Sequence, residues 1–184
     1  MFIQTEDTPN PMTIKFLPGK EVMQTGTADF KNNELAVNSP LALRLFEVDG
    51  VDGVFLGSDF ISVTKKKEEE WFSLKPSILG KIMEHYASGD DVLKLDKNEK
   101  SVPDIEDSDT VQQIKKLLET RVRPAVAMDG GDIQFESFED GIVTLLMKGA
   151  CSGCPSSTAT LKMGIENMLR HYIPEVQEVR ASGM

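Results

Sequence analysis

Residues 88–107 form a run of 20 that cannot be buried. The run holds 3 Lys against 7 Asp or Glu, carries −4 of the chain's net charge of −10, and has few large apolar side chains. A stretch without apolar surface cannot offset the entropy lost on ordering, so it reads as a solvated acidic linker. The 184 residues then divide into two small domains, 1–87 and 108–184, each a size that can fold alone.

The first piece mixes strand and helix signals. Met12–Leu17 reads as a strand ending at the turn pair Pro18-Gly19. Ser39 is an N-cap with Pro40 at the first helical position, followed by Leu41, Leu45 and Phe46 at helical spacing. Val51–Leu56 and Phe60–Thr64 predict a hairpin around Gly57-Ser58-Asp59, and Lys65 to Glu70 a loop or a solvated strand end. Pro76 is read as opening a helix whose Ile78, Ile82, Met83 and Tyr86 share one face. The Met and aromatic residues here are read as core, and Trp71-Phe72 as core by default or else as a hydrophobic anchor or partner surface.

The second piece starts a helix at Asp109, with Gln112 completing a capping-box-like pattern and Val111, Ile114, Leu117, Leu118 and Val122 as its stripe. Pro124 should kink or end that helix. Asp129-Gly130-Gly131-Asp132 reads as a turn, Ile133 and Phe135 begin a strand, Asp140-Gly141 makes a tight hairpin, and Ile142–Lys148 returns. After a cysteine loop, Leu161, Ile165, Met168, Leu169 and Tyr172 mark a helix that Pro174 ends, and Val176–Val179 suit an edge strand. The order α-β-β-α-β makes the fold class α+β.

Net charge excludes some partners. At −10 the chain lacks the dense basic surface a nucleic-acid partner requires. Its longest apolar stretch, near Ile142–Met147, falls far short of the ~20 residues of a membrane span. The first residues, Met1 to Asp7, resemble neither a secretory signal nor an organellar presequence, so a cytoplasmic protein or the mature form of an imported one is expected.

Gly149-Ala150-Cys151-Ser152-Gly153-Cys154-Pro155 lies between a strand and a helix and holds both cysteines of the chain. C-x-x-C spacing lets two sulfurs face one metal, and the following helix N-terminus should favour thiolate. A cluster or an S₄ zinc site wants four ligands, and only two thiols are available. The chain must therefore dimerise around the site, borrow ligands from a partner or leave positions open. A thiol–disulfide exchange site is the first competing reading and an inter-chain structural zinc site the second. A thioredoxin-like βαβ context is missing, which weighs against the first.

The run from Leu118-Glu119-Thr120-Arg121-Val122-Arg123-Pro124 through Asp129-Gly130-Gly131-Asp132 to Gly149–Thr158 closely resembles the C-terminal domain of NifU-like scaffold proteins. The first piece is similar to the N-terminal domain of the same Nfu-type proteins, through Gln4–Pro11 and Ser39-Pro40-Leu41-Ala42. The resemblance implies a homodimer that bridges a [4Fe–4S] cluster through Cys151 and Cys154 of each chain and delivers it to apo iron–sulfur proteins. It implies a carrier rather than an enzyme, supplied by upstream cluster-assembly proteins, in a bacterial cytoplasm or a mitochondrial matrix. Two thiolates per chain suit a bridged [2Fe–2S] cluster as well. Met128 departs from the family pattern, which has a polar residue before the Asp-Gly-Gly turn.

Other candidates carry ordinary readings. His85 suits a surface or packing role, and His171 sits near a helix C-terminus where a protonated imidazole is mildly favoured. Asp129 and Asp132 could be paired carboxylates but are read as turn and capping groups. Lys148 and Lys162 flank the cysteines and could offset the negative charge of a thiolate-bound cluster, but are read as solvated.

Overall fold

The computed structural model describes residues 1–94, 107–153 and 155–182. The chain divides into two compact units, Met1–Asn98 and Glu99–Met184. Both mix helix and sheet, as expected for an α+β fold.

In the first unit, β1 (Gln4–Asp7), β2 (Thr13–Leu17), β3 (Ala28–Phe30), β4 (Val51–Leu56) and β5 (Ile61–Lys65) form an antiparallel sheet. Its order is β1-β2-β5-β4-β3. Helix α1 (Pro40–Phe46) is capped by Ser39, whose Oγ accepts from Ala42 N at 3.1 Å and donates to Val92 O at 2.6 Å. Leu41, Ala42 and Leu45 of α1 meet Phe16, Val54, Leu56, Ile61 and Val63 of the sheet in one core. Burying large aliphatic and aromatic side chains in this way is worth roughly 1.5–3 kcal/mol each.

Helix α2 (Trp71–Ser88) begins five residues before Pro76, which lies inside it. The proline has no N–H to give the carbonyl of Phe72, and it is tolerated because Phe72 lies in the solvent-exposed first turn of the helix. Trp71 Nε1 donates to Pro11 O at 3.0 Å, anchoring the helix start to the segment before β2. Leu74, Ile78, Ile82 and His85 face inward, while Met83 is exposed, contrary to the face read from the sequence. Phe72 is also exposed rather than core, at 93 %.

The acidic run does not begin as a solvated linker. Asp90 accepts from Arg44 Nη2 at 2.6 Å, Lys94 N donates to Asn38 O at 2.7 Å, and Val92 and Leu93 pack on the first core. Two adjacent apolar residues suffice to fold its first residues back, with the Lys94 N–Asn38 O backbone bond and the Ser39 Oγ–Val92 O bond beside them. The remainder of the run, 95–106, lies outside the described residues.

His85 is fully buried, and neither ring nitrogen has a hydrogen-bond partner among the described residues. Burial, helped by the nearby Arg44 cation, holds its pKa below the ordinary value against the opposing pull of Asp90 and Asp91. The unfolded chain therefore takes up a proton at a pH where the folded chain does not. The stability this neutral histidine allows is complete at neutral pH and is lost as pH falls below ~6.5. Thermal melts of the first unit between about pH 7.5 and about pH 5.5 should show a falling midpoint, and His85→Leu should flatten that slope. An unchanged slope in the variant would contradict the assignment.

The second unit opens with α3 (Asp109–Leu117), capped by Ser108 rather than Asp109: Ser108 Oγ accepts from Val111 N at 3.3 Å. A π-helical turn over Leu118–Val122 leads into α4 (Arg123–Met128). Pro124 thus neither ends nor breaks the run, because the wider turn absorbs its missing donor and ring. Strands β6 (Gly131–Glu139) and β7 (Ile142–Gly149) pair antiparallel through Asp140 and Gly141, both at positive φ. Helix α5 (Pro155–Tyr172) then crosses over to β8 (Glu178–Ser182), which runs parallel to β7. Val143, Leu145 and Met147 alternate inward from β7 onto Ile114, Leu118, Val126, Ile165 and Leu169. Among the described residues no helix is long and apolar enough to cross a membrane.

Candidate metal centre

The parallel crossover from β7 through α5 to β8 is a βαβ unit, which corrects the expectation that such a context is missing, and it places the cysteine loop at the end of β7, where α5 begins. Gly149 and Gly153 take φ of 62° and 80°, so the loop turns as its glycines predict. Ser152 Oγ donates to Gly149 O at 2.9 Å, and the buried Thr158 donates from Oγ1 to Cys151 O at 3.0 Å. The loop is thus tied at one end to β7 and at the other to α5.

Cys151 is an unpaired thiol, only 6 % exposed, and belongs to the core of the second unit. Its sulfur lies against Gly131. A β-carbon at position 131 would fall on Cys151 Sγ and within 2.8 Å of Lys148 O and 3.0 Å of Cys151 N. Only glycine leaves room for the sulfur there. Cys154 lies outside the described residues, as do the side chains of residues 155–157.

The expectation of a stabilised thiolate at Cys151 is corrected. Burial pushes the thiol up to about 12, with the Asp129 and Asp132 carboxylates adding to the rise. Desolvation of a charged sulfur outweighs any help from a nearby helix end. A bound cation reverses that balance, because it replaces the proton as the sulfur's partner. Cys151 in the free chain is therefore held as a protonated thiol, and its reactivity as a nucleophile is suppressed.

Asp132 is not an open carboxylate. It is 3 % exposed, accepts from Arg123 Nε at 2.8 Å and Nη2 at 2.9 Å, and also receives Ile133 N at 2.9 Å. Arg123 Nη1 donates to Glu119 at 2.7 Å. These carboxylates hold the guanidinium pKa above its ordinary value, Asp132 most of all. Asp129 terminates α4, its N–H donating to Val126 O at 3.1 Å. Arg123, Gly131 and Thr158 lie in the runs that carry the resemblance, but sequence reasoning gave them no role at the cysteine, since nothing in their spacing connects them to a residue some 7 to 28 positions away. Lys148 and Lys162 are partly buried, and His171 is exposed in the last turn of α5. Met128 is exposed at the end of α4. Among the described residues no three His, Cys, Asp or Glu converge to hold a metal ion.

Comparison with known proteins bears on both units. Residues 3–89 match the family described as scaffold protein Nfu/NifU N terminal, and residues 114–180 match the NifU-like domain. NifU-like protein 4, mitochondrial, of Arabidopsis thaliana is 54% identical over 185 residues, covering 97% of this chain and 65% of its own. The human protein described as NFU1 iron-sulfur cluster scaffold homolog, mitochondrial, is 52% identical over 180 residues, covering 97% and 71%. The chain belongs to the Nfu/NifU-like family. It spans about two thirds of the length of these two Nfu/NifU-like relatives. A NifU-like protein from Saccharomyces cerevisiae, solved in solution, aligns at 29% identity and a TM-score of 0.47, covering 52% of this chain and 87% of its own.

Proposed function

We propose that this chain is a scaffold for iron–sulfur clusters. Two copies share one [4Fe–4S] cluster as cargo, Cys151 and Cys154 of each supplying the four thiolates, and the assembly passes it to apo-proteins. The observation that carries this reading is the ligand count at a defined seat. Cys151 is unpaired in a loop beside a glycine that makes room for sulfur, yet the chain has two cysteines in all and a cluster takes four. A second copy is the simplest source of the other two. The human relative is named an iron-sulfur cluster scaffold homolog, which favours the same role, and both relatives are named mitochondrial, which favours that setting.

Release is a ligand exchange and needs no catalyst residue. Each scaffold thiolate leaves iron as a recipient thiolate replaces it, the recipient's protons return to the scaffold sulfurs, and no electron is transferred. The high proton affinity of Cys151 in its buried seat favours that return. The chain thus acts as a carrier and not as an enzyme.

Anaerobic reconstitution with iron and sulfide tests the proposal. The expected product is brown, absorbs near ~400 nm, contains about two irons per chain, and loses its colour to an apo-acceptor with cysteine ligands. About one iron per chain would point to a shared [2Fe–2S] cluster instead. A colourless protein that retains zinc, or one that turns over disulfides, would overturn the scaffold reading.

A further inference from the structure

We propose that Arg123 is a positioning residue for Cys151, acting through Asp132 on the backbone against which the sulfur rests. In its functional consequence the proposal rests on the reading of Cys151 as a cluster ligand, while its structural content stands on geometry alone. The guanidinium engages both oxygens of Asp132, at 2.8 and 2.9 Å, and its third contact goes to Glu119 at 2.7 Å. A fork held at three points cannot swivel, so Asp132 is fixed in place. Asp132 directly follows Gly131, whose Cα faces the Cys151 sulfur.

The turn over Asp129 and Gly130 is thereby held at both ends. At one end Asp129 N and Gly130 N donate to Val126 O and Ala127 O, both at 3.1 Å. At the other, the Arg123 clamp reaches across nine residues to Asp132. Gly130 O in turn accepts Ala150 N at 3.2 Å, and Gly131 pairs with Gly149 in the sheet register. The clamp, the turn and the cysteine loop are one connected unit. Loss of the guanidinium leaves a buried carboxylate without its main partner, which draws water into the turn and loosens the wall that encloses the sulfur.

The test uses the full chain without cluster, carrying Cys154→Ser so that Cys151 is the sole thiol, with iodoacetamide as the probe. Arg123→Gln should raise the alkylation rate of Cys151 roughly tenfold or more, because it opens the turn without unfolding the unit. Arg123→Lys, which keeps the charge and loses the fork, should fall between parent and Arg123→Gln. Adding Asp132→Asn to Arg123→Gln should change little further, since both act through one pair. Val176→Ala, a truncation in the same core, serves as the control, compared with Arg123→Gln at the denaturant concentrations that equalise their global stability. Excess alkylation of Arg123→Gln over this control supports positioning. Equal rates would mean that Arg123 is merely structural and would overturn the proposal, as would protection equal to the parent's. If Arg123→Gln does not fold, Arg123→Lys decides in the same way. Iron uptake is measured separately on the parent with both cysteines. Failure there overturns the cluster reading and leaves the alkylation result standing.

Discussion

Cys151→Ala is expected to abolish cluster retention while the second unit remains folded. With Cys151 gone from both copies, a pair of chains offers two thiolates where four are needed. Cys154→Ala removes the same number and should give the same loss. The structural cost at Cys151 is small, because a single sulfur is removed from the core and the Thr158 hydrogen bond goes to a backbone carbonyl that alanine retains. A destabilisation of about 1–2 kcal/mol is expected, read as a shift of the urea midpoint with unchanged far-ultraviolet circular dichroism. Iron content after reconstitution and desalting should drop to background. A normal iron content in either variant would place the ligands elsewhere.

Gly131→Ala should have the second largest effect, through a different cause. The added methyl meets the Cys151 sulfur together with Lys148 O and Cys151 N, at 2.8 and 3.0 Å. The last two are backbone atoms that cannot rotate away, so either β6 or the cysteine loop must shift. Overpacking of this kind costs about 1–3 kcal/mol. The displaced sulfur should also lower iron retention several-fold. Gly164→Ala in α5 is the natural comparison, since a β-carbon there meets nothing within 4 Å. That variant should be neutral or stabilising by up to ~1 kcal/mol, with normal iron content. Equal iron retention by the two variants would mean that the contact with Gly131 does not set the position of Cys151.

Local chemistry was legible in the sequence wherever one or two residues decide the backbone. Ser39 with Pro40 announced α1, Asp140 with Gly141 announced the β6–β7 turn, and the apolar run of Ile142–Lys148 returning from that turn announced β7. The glycines of the cysteine loop were legible for the same reason. What stayed hidden depends on contacts between distant residues. Trp71 reaches the carbonyl of Pro11, sixty positions away, so α2 begins before Pro76 instead of at it. A π-helical turn before Pro124 lets one helical run continue where a kink or an end was expected. Val92 and Leu93 are ordinary linker residues until the core of the first unit offers them a place. Helix position suggested a thiolate at Cys151, yet three-dimensional burial beside two carboxylates makes it a thiol. Arg123 and Asp132 both stand in the resembling runs, but their pairing could not be read there, since only the fold brings α4 against the start of β6.

A protonated, enclosed Cys151 suits a carrier that must be safe when empty. In the free chain the sulfur is withheld from solvent by Gly131 and from ionisation by its surroundings.

Sharing of one cluster by two copies is tested most directly by sedimentation of the reconstituted chain, with iron quantified in the same fractions, before and after chelation. The expected result is iron confined to a species of twice the chain mass, at about four irons per pair, which shifts toward the single-chain mass when iron is removed. A full complement of iron in a species of single-chain mass, or a mass unchanged by chelation, would contradict it.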